Sequence, residues 1–222
     1  MEEEKARAIP TLDAVLVIIV TFVLVILLGA VFTLTLGTGP ALILSELLIL
    51  IVPLTYMLVK RVNIRSYIGL EVKPKFILIG IISGVAILVI DIVTSGALTA
   101  IFGVSQAVEE SNAIIASLSA SPSGLIAVIT ALSLAGVCEE FAFRAFLQNA
   151  INRRYSFIPA IIGSSVAFGI FHFDPQLVYI FAAIVIGLAF GYIYHRWNSY
   201  LVAAIAHSTV NLIVLATLLL VI

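Results

Sequence analysis

Long apolar runs dominate this chain of 222 residues and restrict its fold more than any other feature. Hydrophobic residues make up 63% of the sequence and charged residues only 10%. A helix needs about 20 mostly apolar residues to cross the ~30 Å hydrocarbon core of a bilayer. Seven runs meet or approach that length, at residues 11–36, 41–58, 76–102, 124–148, 157–173, 177–194 and 200–222. The sequence therefore predicts an all-α, polytopic bundle of about seven transmembrane helices, a single integral membrane domain over residues 1–222.

Ten of the eleven basic residues lie before the first run or in alternate connections between the runs. They are Lys5, Arg7, Lys60, Arg61, Arg65, Lys73, Lys75, Arg153, Arg154 and Arg196. The other connections, at 37–40, 103–123 and 174–176, contain no Lys or Arg. The positive-inside rule therefore predicts a cytoplasmic N-terminus. We expect the protein to reside in the plasma membrane. The first run is too long for a cleavable signal peptide, so we expect it to be a retained helix.

Composition also limits the possible partners. The net charge of -1 and the lack of a long basic run argue against nucleic acid. Cys138 is the single cysteine, which excludes an intrachain disulfide or a cysteine metal cluster. Membrane lipid is the expected partner of the apolar surface.

Two adjacent acids, Glu139 and Glu140, interrupt the apolar run at 124–148. An acidic residue at the centre of a membrane helix costs roughly 2.5–3.5 kcal/mol, so such residues usually have a function. Other polar side chains fall in the runs as well: Asp91, Arg144, His172, His207 and Asn211. Complementary charged and hydrogen-bonding groups spread over several spans indicate a functional site.

Spacing assigns different roles to the two acids. Glu140 and Arg144 are four residues apart on a helix and can form an ion pair. Glu139 points about 100° away around the helix axis and lacks that partner, so it is the candidate general base. His207 and Asn211 are also four apart and share one face of the last run, whereas His172 comes from another run.

Counting residues from the predicted cytoplasmic turns estimates the depth of each group. Glu140 and His172 both lie about 24 Å from the turn near residue 156. His207 lies only about 15 Å from the turn near residue 197. The count thus predicts a mismatch of about 9 Å that helix tilt must absorb.

These side chains suit peptide hydrolysis by two routes. A carboxylate and a histidine can activate water, while a second histidine and an asparagine stabilise the developing oxyanion. Glu139, His172 and His207 could alternatively hold a catalytic zinc ion with water in its fourth position. The sequence lacks HExxH, which would have favoured zinc, and the residues leave both routes open. We expect no cofactor, with zinc as the alternative.

Three motifs resemble those of one family of membrane proteases. The segment 139–144 resembles EExxxR, 168–172 resembles FxxxH with Phe168 as its first residue, and 207–211 resembles HxxxN. In this order they resemble the CPBP family, which includes type II CAAX prenyl endopeptidases, abortive-infection proteins and bacteriocin-processing or self-immunity proteins. The resemblance covers residues 124–222 as a protease core, with accessory helices over 11–102.

The resemblance implies an intramembrane endopeptidase, either glutamic or metal-dependent. In the glutamic picture Glu139 and His172 activate water, while His207 and Asn211 form the oxyanion hole. We therefore predict the catalytic residues to be Glu139, Glu140, His172, His207 and Asn211, with Arg144 and Phe168 as structural support. The implied substrate is a peptide or a prenylated protein cut at a C-terminal CaaX, reached through a cavity open to cytosol and lipid. The CAAX enzymes have eight spans, so the expected helix count is seven or eight.

Two other functions compete with proteolysis. A non-catalytic scaffold or bacteriocin immunity protein could keep the polar core for packing alone. A proton-coupled transporter could use the acids and histidines as a relay, although paired half-repeats are not visible in the sequence. Asp91 is either a structural acceptor or part of a wet cavity, and 103–123 is predicted to be an interfacial helix or a lid.

Overall fold

The computed structural model describes residues 9–221, so Lys5 and Arg7 lie outside the described part of the chain. Within that part the protein consists of helices joined by short connections. In chain order they are α1 (Thr11–Leu36), α2 (Thr38–Val59), α3 (Ile64–Tyr67), α4 (Pro74–Phe102), α5 (Gln106–Ser119), α6 (Pro122–Arg154), α7 (Phe157–Ile170), α8 (Val178–Trp197) and α9 (Tyr200–Val221).

Six of these helices, α1, α2, α4, α6, α8 and α9, are long and apolar enough to cross a membrane. The seventh apolar helix, α7, has 14 residues and is about 21 Å long, shorter than the hydrocarbon core. The predicted all-α, polytopic bundle is confirmed. Large apolar side chains such as Leu34 (87% exposed) lie on its outer surface, as expected for a lipid-facing bundle.

The described basic residues outside the spans lie at one end of the bundle, because successive long helices run in opposite directions. The connection after α2 contains the short helix α3 and folds under the bundle. Tyr67 and Ile68 in this connection are 6% and 2% exposed. We call this end the basic end and the other, which carries α5 and the α7–α8 turn, the opposite end.

Small residues bring α9 close to α4 and α6. A Cβ atom at Gly80 or Gly84 of α4 would lie 2.7 Å from Ile205 and 2.6 Å from the Ala206 carbonyl oxygen, respectively. A Cβ at Gly136 of α6 would lie 2.5 Å from the backbone nitrogen of Ser208. In lipid, helices associate through close packing of this kind because the hydrophobic effect does not favour helix–helix contact.

The predicted run at 157–173 was wrong at its end, because α7 stops at Ile170. His172 therefore lies in the turn that follows. Its backbone N–H donates to the Gly169 carbonyl at 3.0 Å, a tighter turn than that of an α-helix. Asp174 completes the turn by accepting from the backbone N–H groups of Gln176 and Tyr179. The tight turn at His172 thus ends α7 inside the apolar run, and Asp174 caps the start of α8.

The helix that contains the paired glutamates is longer than predicted and not regular. Residues 124–148 were predicted, whereas α6 extends over Pro122–Arg154. Its segment Glu140–Gln148 is a π-helix, and every residue of that segment is buried. Wide π turns inside α-helices occur frequently at functional sites, and this one begins within the EExxxR motif.

Substitution of Gly136 tests the close approach of α6 and α9. We expect Gly136→Ala to destabilise the protein by about 1–3 kcal/mol, because the new methyl group would collide with backbone and side-chain atoms of Ser208. A thermal melt in detergent measures the change. Gly96→Ala is the matched control, since a Cβ atom at Gly96 would meet no neighbouring atom within 4 Å. Equal melting temperatures for the two variants would contradict this packing.

Candidate functional site

The first part of the site is a fully buried ion pair on α6. Arg144 Nη1 lies 3.3 Å from Glu140 Oε1, and both side chains are 0% exposed. Arg144 Nη2 also donates to the Gly187 carbonyl of α8 at 3.0 Å. The ion pair predicted from the four-residue spacing is therefore present. The arginine additionally ties α6 to α8, which the spacing did not predict.

His207 of α9 lies between the two glutamates. Its Nδ1 atom is 3.0 Å from Glu140 Oε1, and its Nε2 atom is 3.9 Å from Glu139 Oε2. The depth mismatch of about 9 Å obtained by residue counting therefore does not keep His207 away from the glutamates. The count assumed straight helices of regular rise, whereas α6 contains the π-helical segment and α9 is positioned by its contacts with Gly136.

Aromatic rings surround His207 and the arginine. Phe190 stacks on the imidazole of His207 with ring centroids 4.5 Å apart. Phe168 lies edge-on to the same imidazole at 5.8 Å, and the Arg144 guanidinium lies 4.3 Å from the centre of the Phe168 ring. These buried rings hold the charged groups in place and exclude water from one side of the site.

His172 lies beside this group without contacting the acids. Its Nδ1 is 2.9 Å from the Phe168 carbonyl oxygen, and its ring packs edge-on against Tyr179 at 4.9 Å. Among the described residues, no ion-pair contact within 4.0 Å joins His172 to a glutamate. The histidine closest to Glu139 is therefore His207, whereas the family picture pairs Glu139 with His172.

Asn211 and Asp91 have hydrogen-bond partners that suit packing as well as function. Asn211 Nδ2 donates to the Leu132 carbonyl of α6 at 3.2 Å. Asp91 Oδ1 accepts from the hydroxyl of Ser95, one turn away on α4, at 3.0 Å. Each of these bonds leaves part of the side chain's hydrogen-bonding capacity unused.

A cavity of about 320 Å³ lies beside the charge cluster, and neither Glu139 nor Glu140 is among its lining residues. His172, His207, Asn211 and Asp91 line it together with Tyr179. Most other lining side chains are apolar and come from α4, α8 and α9, and several belong to α5. The segment predicted to be an interfacial helix or a lid is thus a helix over Gln106–Ser119 that forms part of the cavity wall.

The zinc alternative requires Glu139, His172 and His207 to converge on one point. Across residues 9–221, no three His, Cys, Asp or Glu side chains are grouped closely enough to hold a metal ion. The residues proposed as ligands therefore do not fit a three-ligand site in this structure.

A third intramembrane carboxylate was missed in the sequence. Glu46 of α2 lies close enough to Glu139 for their charges to interact, and its Oε2 atom is buried without a hydrogen-bond partner among the described residues. The signal was available, because Glu46 is a lone acid within the apolar run at 41–58. Placing Glu46 inside a membrane helix costs free energy for the same reason as placing Glu139 and Glu140 there, so a function is expected for it as well.

Comparisons with known proteins bear on the half of the chain that carries this site. Residues 121–213 match the model of the family described as type II CAAX prenyl endopeptidase Rce1-like. The chain is also 29% identical over 111 residues to "Putative membrane peptidase YdiL" of Bacillus subtilis (strain 168). That match covers 50% of this chain and 43% of the relative, so it spans less than half of the relative's length. No solved structure matches the chain.

The matched segment contains all three motifs and every residue of the α6–α9 site described above. The resemblance predicted from the motifs is therefore confirmed over residues 121–213, which are similar to the Rce1-like, type II CAAX prenyl endopeptidase family.

Proposed function

We propose that this protein is an intramembrane endopeptidase that hydrolyses peptide bonds with water activated by Glu139 and His207. The observation that carries the proposal is the position of the His207 imidazole between two carboxylates, at 3.0 Å from Glu140 and 3.9 Å from Glu139. The family match over residues 121–213 supports the same reaction class.

The contact with Glu140 selects one form of His207. An ionised carboxylate only accepts hydrogen bonds, so the Nδ1 atom facing it carries the proton. In the neutral imidazole the Nε2 atom is then an acceptor. Arg144 holds the Glu140 carboxylate in place through the buried ion pair. Glu140 and Arg144 are therefore positioning residues that orient His207.

The gap between His207 Nε2 and Glu139 Oε2 has the size expected for two acceptors that share one water molecule. Hydrogen bonds of about 2.8 Å from a single oxygen to both atoms would meet at an angle of about 90°. As the water oxygen attacks the peptide carbonyl carbon, Glu139 takes the proton that the water loses. Glu139 then returns this proton to the leaving amine, which completes hydrolysis without a net change in the enzyme.

Asn211 and His172 are proposed to contact the substrate from the cavity wall. One N–H of the Asn211 amide donates to Leu132, and the other can donate to the developing oxyanion. The Phe168 carbonyl accepts from His172 Nδ1, so Nε2 is the histidine's free atom. We propose a peptide or a prenylated protein as the substrate class, in keeping with the family.

Removal of the base tests the mechanism. We expect Glu139→Gln to lower kcat by about 10²–10⁴ while the thermal melt in detergent stays within a few degrees of the native protein, because the amide keeps the shape and loses the basic oxygen. Products from a peptide library, with and without prenylated CaaX peptides, are identified by mass spectrometry. Glu110→Gln on the exposed face of α5 is the matched control and should keep full activity.

Full activity of Glu139→Gln would contradict the proposed reaction. If a protective or binding phenotype also persisted in Glu139→Gln and His207→Ala, the protein would instead be a non-catalytic scaffold or immunity protein. Glu140→Gln separates positioning from catalysis, because it removes the charge that holds His207 and leaves Glu139 intact.

Metal removal tests the zinc-dependent alternative. We expect cleavage by the purified protein to be unchanged after dialysis against a strong chelator, with less than stoichiometric zinc by elemental analysis, because the three proposed ligands do not converge. Loss of activity on chelation that is restored by stoichiometric Zn²⁺ would establish a metalloprotease and overturn the glutamic mechanism.

A further inference from the structure

Glu46 lies on the face of α2 that packs against α6. Gly39, Glu46 and Pro53 follow one another at intervals of seven residues, which is close to two helical turns, so they share one stripe of the helix. Gly39 and Pro53 are buried. A Cβ atom at Gly39 would lie 3.3 Å from the Cβ of Ala127 in α6. The Glu46 side chain therefore starts from the side of α2 that faces the helix of the glutamate pair.

The register between the two helices places Glu46 about one turn from the glutamate pair. Both helices run from the opposite end to the basic end, and the rings of Tyr56 and Phe146 lie 5.9 Å apart near the basic end. Counted back from this ring contact, and forward from the glycine contact near the other end, Glu46 is level with residues 134–136. Glu139 follows that level by three to five residues, or about 5–8 Å along the axis.

The carboxyl groups of Glu46 and Glu139 are both incompletely bonded. Their Oε2 atoms are enclosed and lack a hydrogen-bond partner in the part of the chain from 9 to 221. Glu46 lies close enough to Cys138 and Glu139 for its charge to act on both. The Glu139 carboxyl is therefore approached by His207 from α9, at 3.9 Å, and by Glu46 from α2.

Within the described residues, no basic side chain balances these two acids as an ion pair. Over residues 9–221, no Lys or Arg lies within 4.0 Å of a Glu46 or Glu139 oxygen, and Arg144 is paired with Glu140. Two ionised carboxylates in a site of low dielectric constant repel each other strongly. One proton held between them replaces this repulsion by a hydrogen bond. A pair of carboxyl groups with a single negative charge is therefore the favoured state.

We propose that Glu46 is a positioning residue that shares one proton with Glu139 and thereby orients the Glu139 carboxylate toward His207. The proposal rests on the proposed endopeptidase function. Protonated Glu46 donates through an intervening water molecule to one oxygen of Glu139. The other oxygen, Oε2, stays free to take the proton of the attacking water. Glu139 returns that proton to the leaving amine, so the shared proton remains in place and the reaction consumes no proton from Glu46.

An apolar replacement of Glu46 separates its contribution to stability from its contribution to catalysis. We expect Glu46→Leu to melt at a temperature equal to or above that of the native protein, because an apolar side chain removes a buried polar atom that lacks a partner. The same variant should lower kcat by about tenfold and leave KM within about twofold, because Glu139 keeps its chemistry and loses its orientation. Both quantities are measured on the purified full chain in detergent.

Two further variants of α2 serve as comparisons. Glu46→Gln keeps an N–H donor at the same place and should recover most of the kcat that Glu46→Leu loses. Ser45→Ala is the matched control and should keep the native kcat, because the Ser45 hydroxyl faces α1, where a Cβ atom at Gly29 would lie 3.2 Å from it. Native kcat in Glu46→Leu, or an equal loss in Glu46→Leu and Glu46→Gln, would overturn the proposal.

Infrared difference spectra test the shared proton without reference to activity. A protonated carboxyl group has a carbonyl stretching band that a carboxylate lacks. Glu46→Gln should remove one such band, and Glu139→Gln should shift the same band, because the Glu46 acid would lose its acceptor. Asp91→Asn is the control and should leave this band in place, since Asp91 bonds to Ser95 on α4. A spectrum without a Glu46 band, or a band that Glu139→Gln does not shift, would overturn the proposal.

The same variants separate this inference from the proposed function. If cleavage in detergent persists in Glu139→Gln, the proposed function fails, and with it the role of Glu46 in catalysis. If cleavage depends on Glu139 and Glu46→Leu keeps the native kcat, the proposed function stands and the positioning role of Glu46 is wrong.

Discussion

A single buried guanidinium connects the parts of this site. Arg144 is 0% exposed, bonds to the Gly187 carbonyl of α8, lies over the Phe168 ring of α7 and pairs with Glu140 on its own helix. Glu140 in turn bonds to His207 of α9. Removing one partner of a buried ion pair leaves a charge without compensation, which typically costs about 3–5 kcal/mol. The relative positions of four helices therefore depend on one charge cluster.

The different roles proposed for Glu139 and Glu140 follow from their contacts with this cluster. Glu140 is completely buried and has both Arg144 and His207 as partners, which supports the orienting role proposed for it. The Glu139 side chain is 15% exposed, and its Oε2 lacks a hydrogen-bond partner within the described residues. For this reason we propose that the more accessible and less compensated carboxylate, Glu139, exchanges a proton with water. The π-helical segment that begins at Glu140 alters the turn at this point.

Much of the architecture could be predicted from the chain because membranes impose simple rules. The apolar runs predicted the helices, and the four-residue spacing of Glu140 and Arg144 predicted their ion pair. The end of α7 was not predicted, because the tight turn at His172 lies within an apolar run and Asp174, just after it, caps α8. Glu46 was overlooked although it has the same sequence signal as the glutamate pair.

The amino-acid sequence by itself determined the class of protein, the membrane-spanning helices and the three motifs, because hydrophobic length and local spacing are properties of the chain. Only the tertiary structure decided which histidine stands next to Glu139, on which side of the charge cluster the cavity lies, and that α5 forms part of its wall. These features depend on the register between helices far apart in sequence. That register is set by close contacts such as Gly136 with Ser208 and by the shape of the π-helical segment, and a count of residues per turn contains neither.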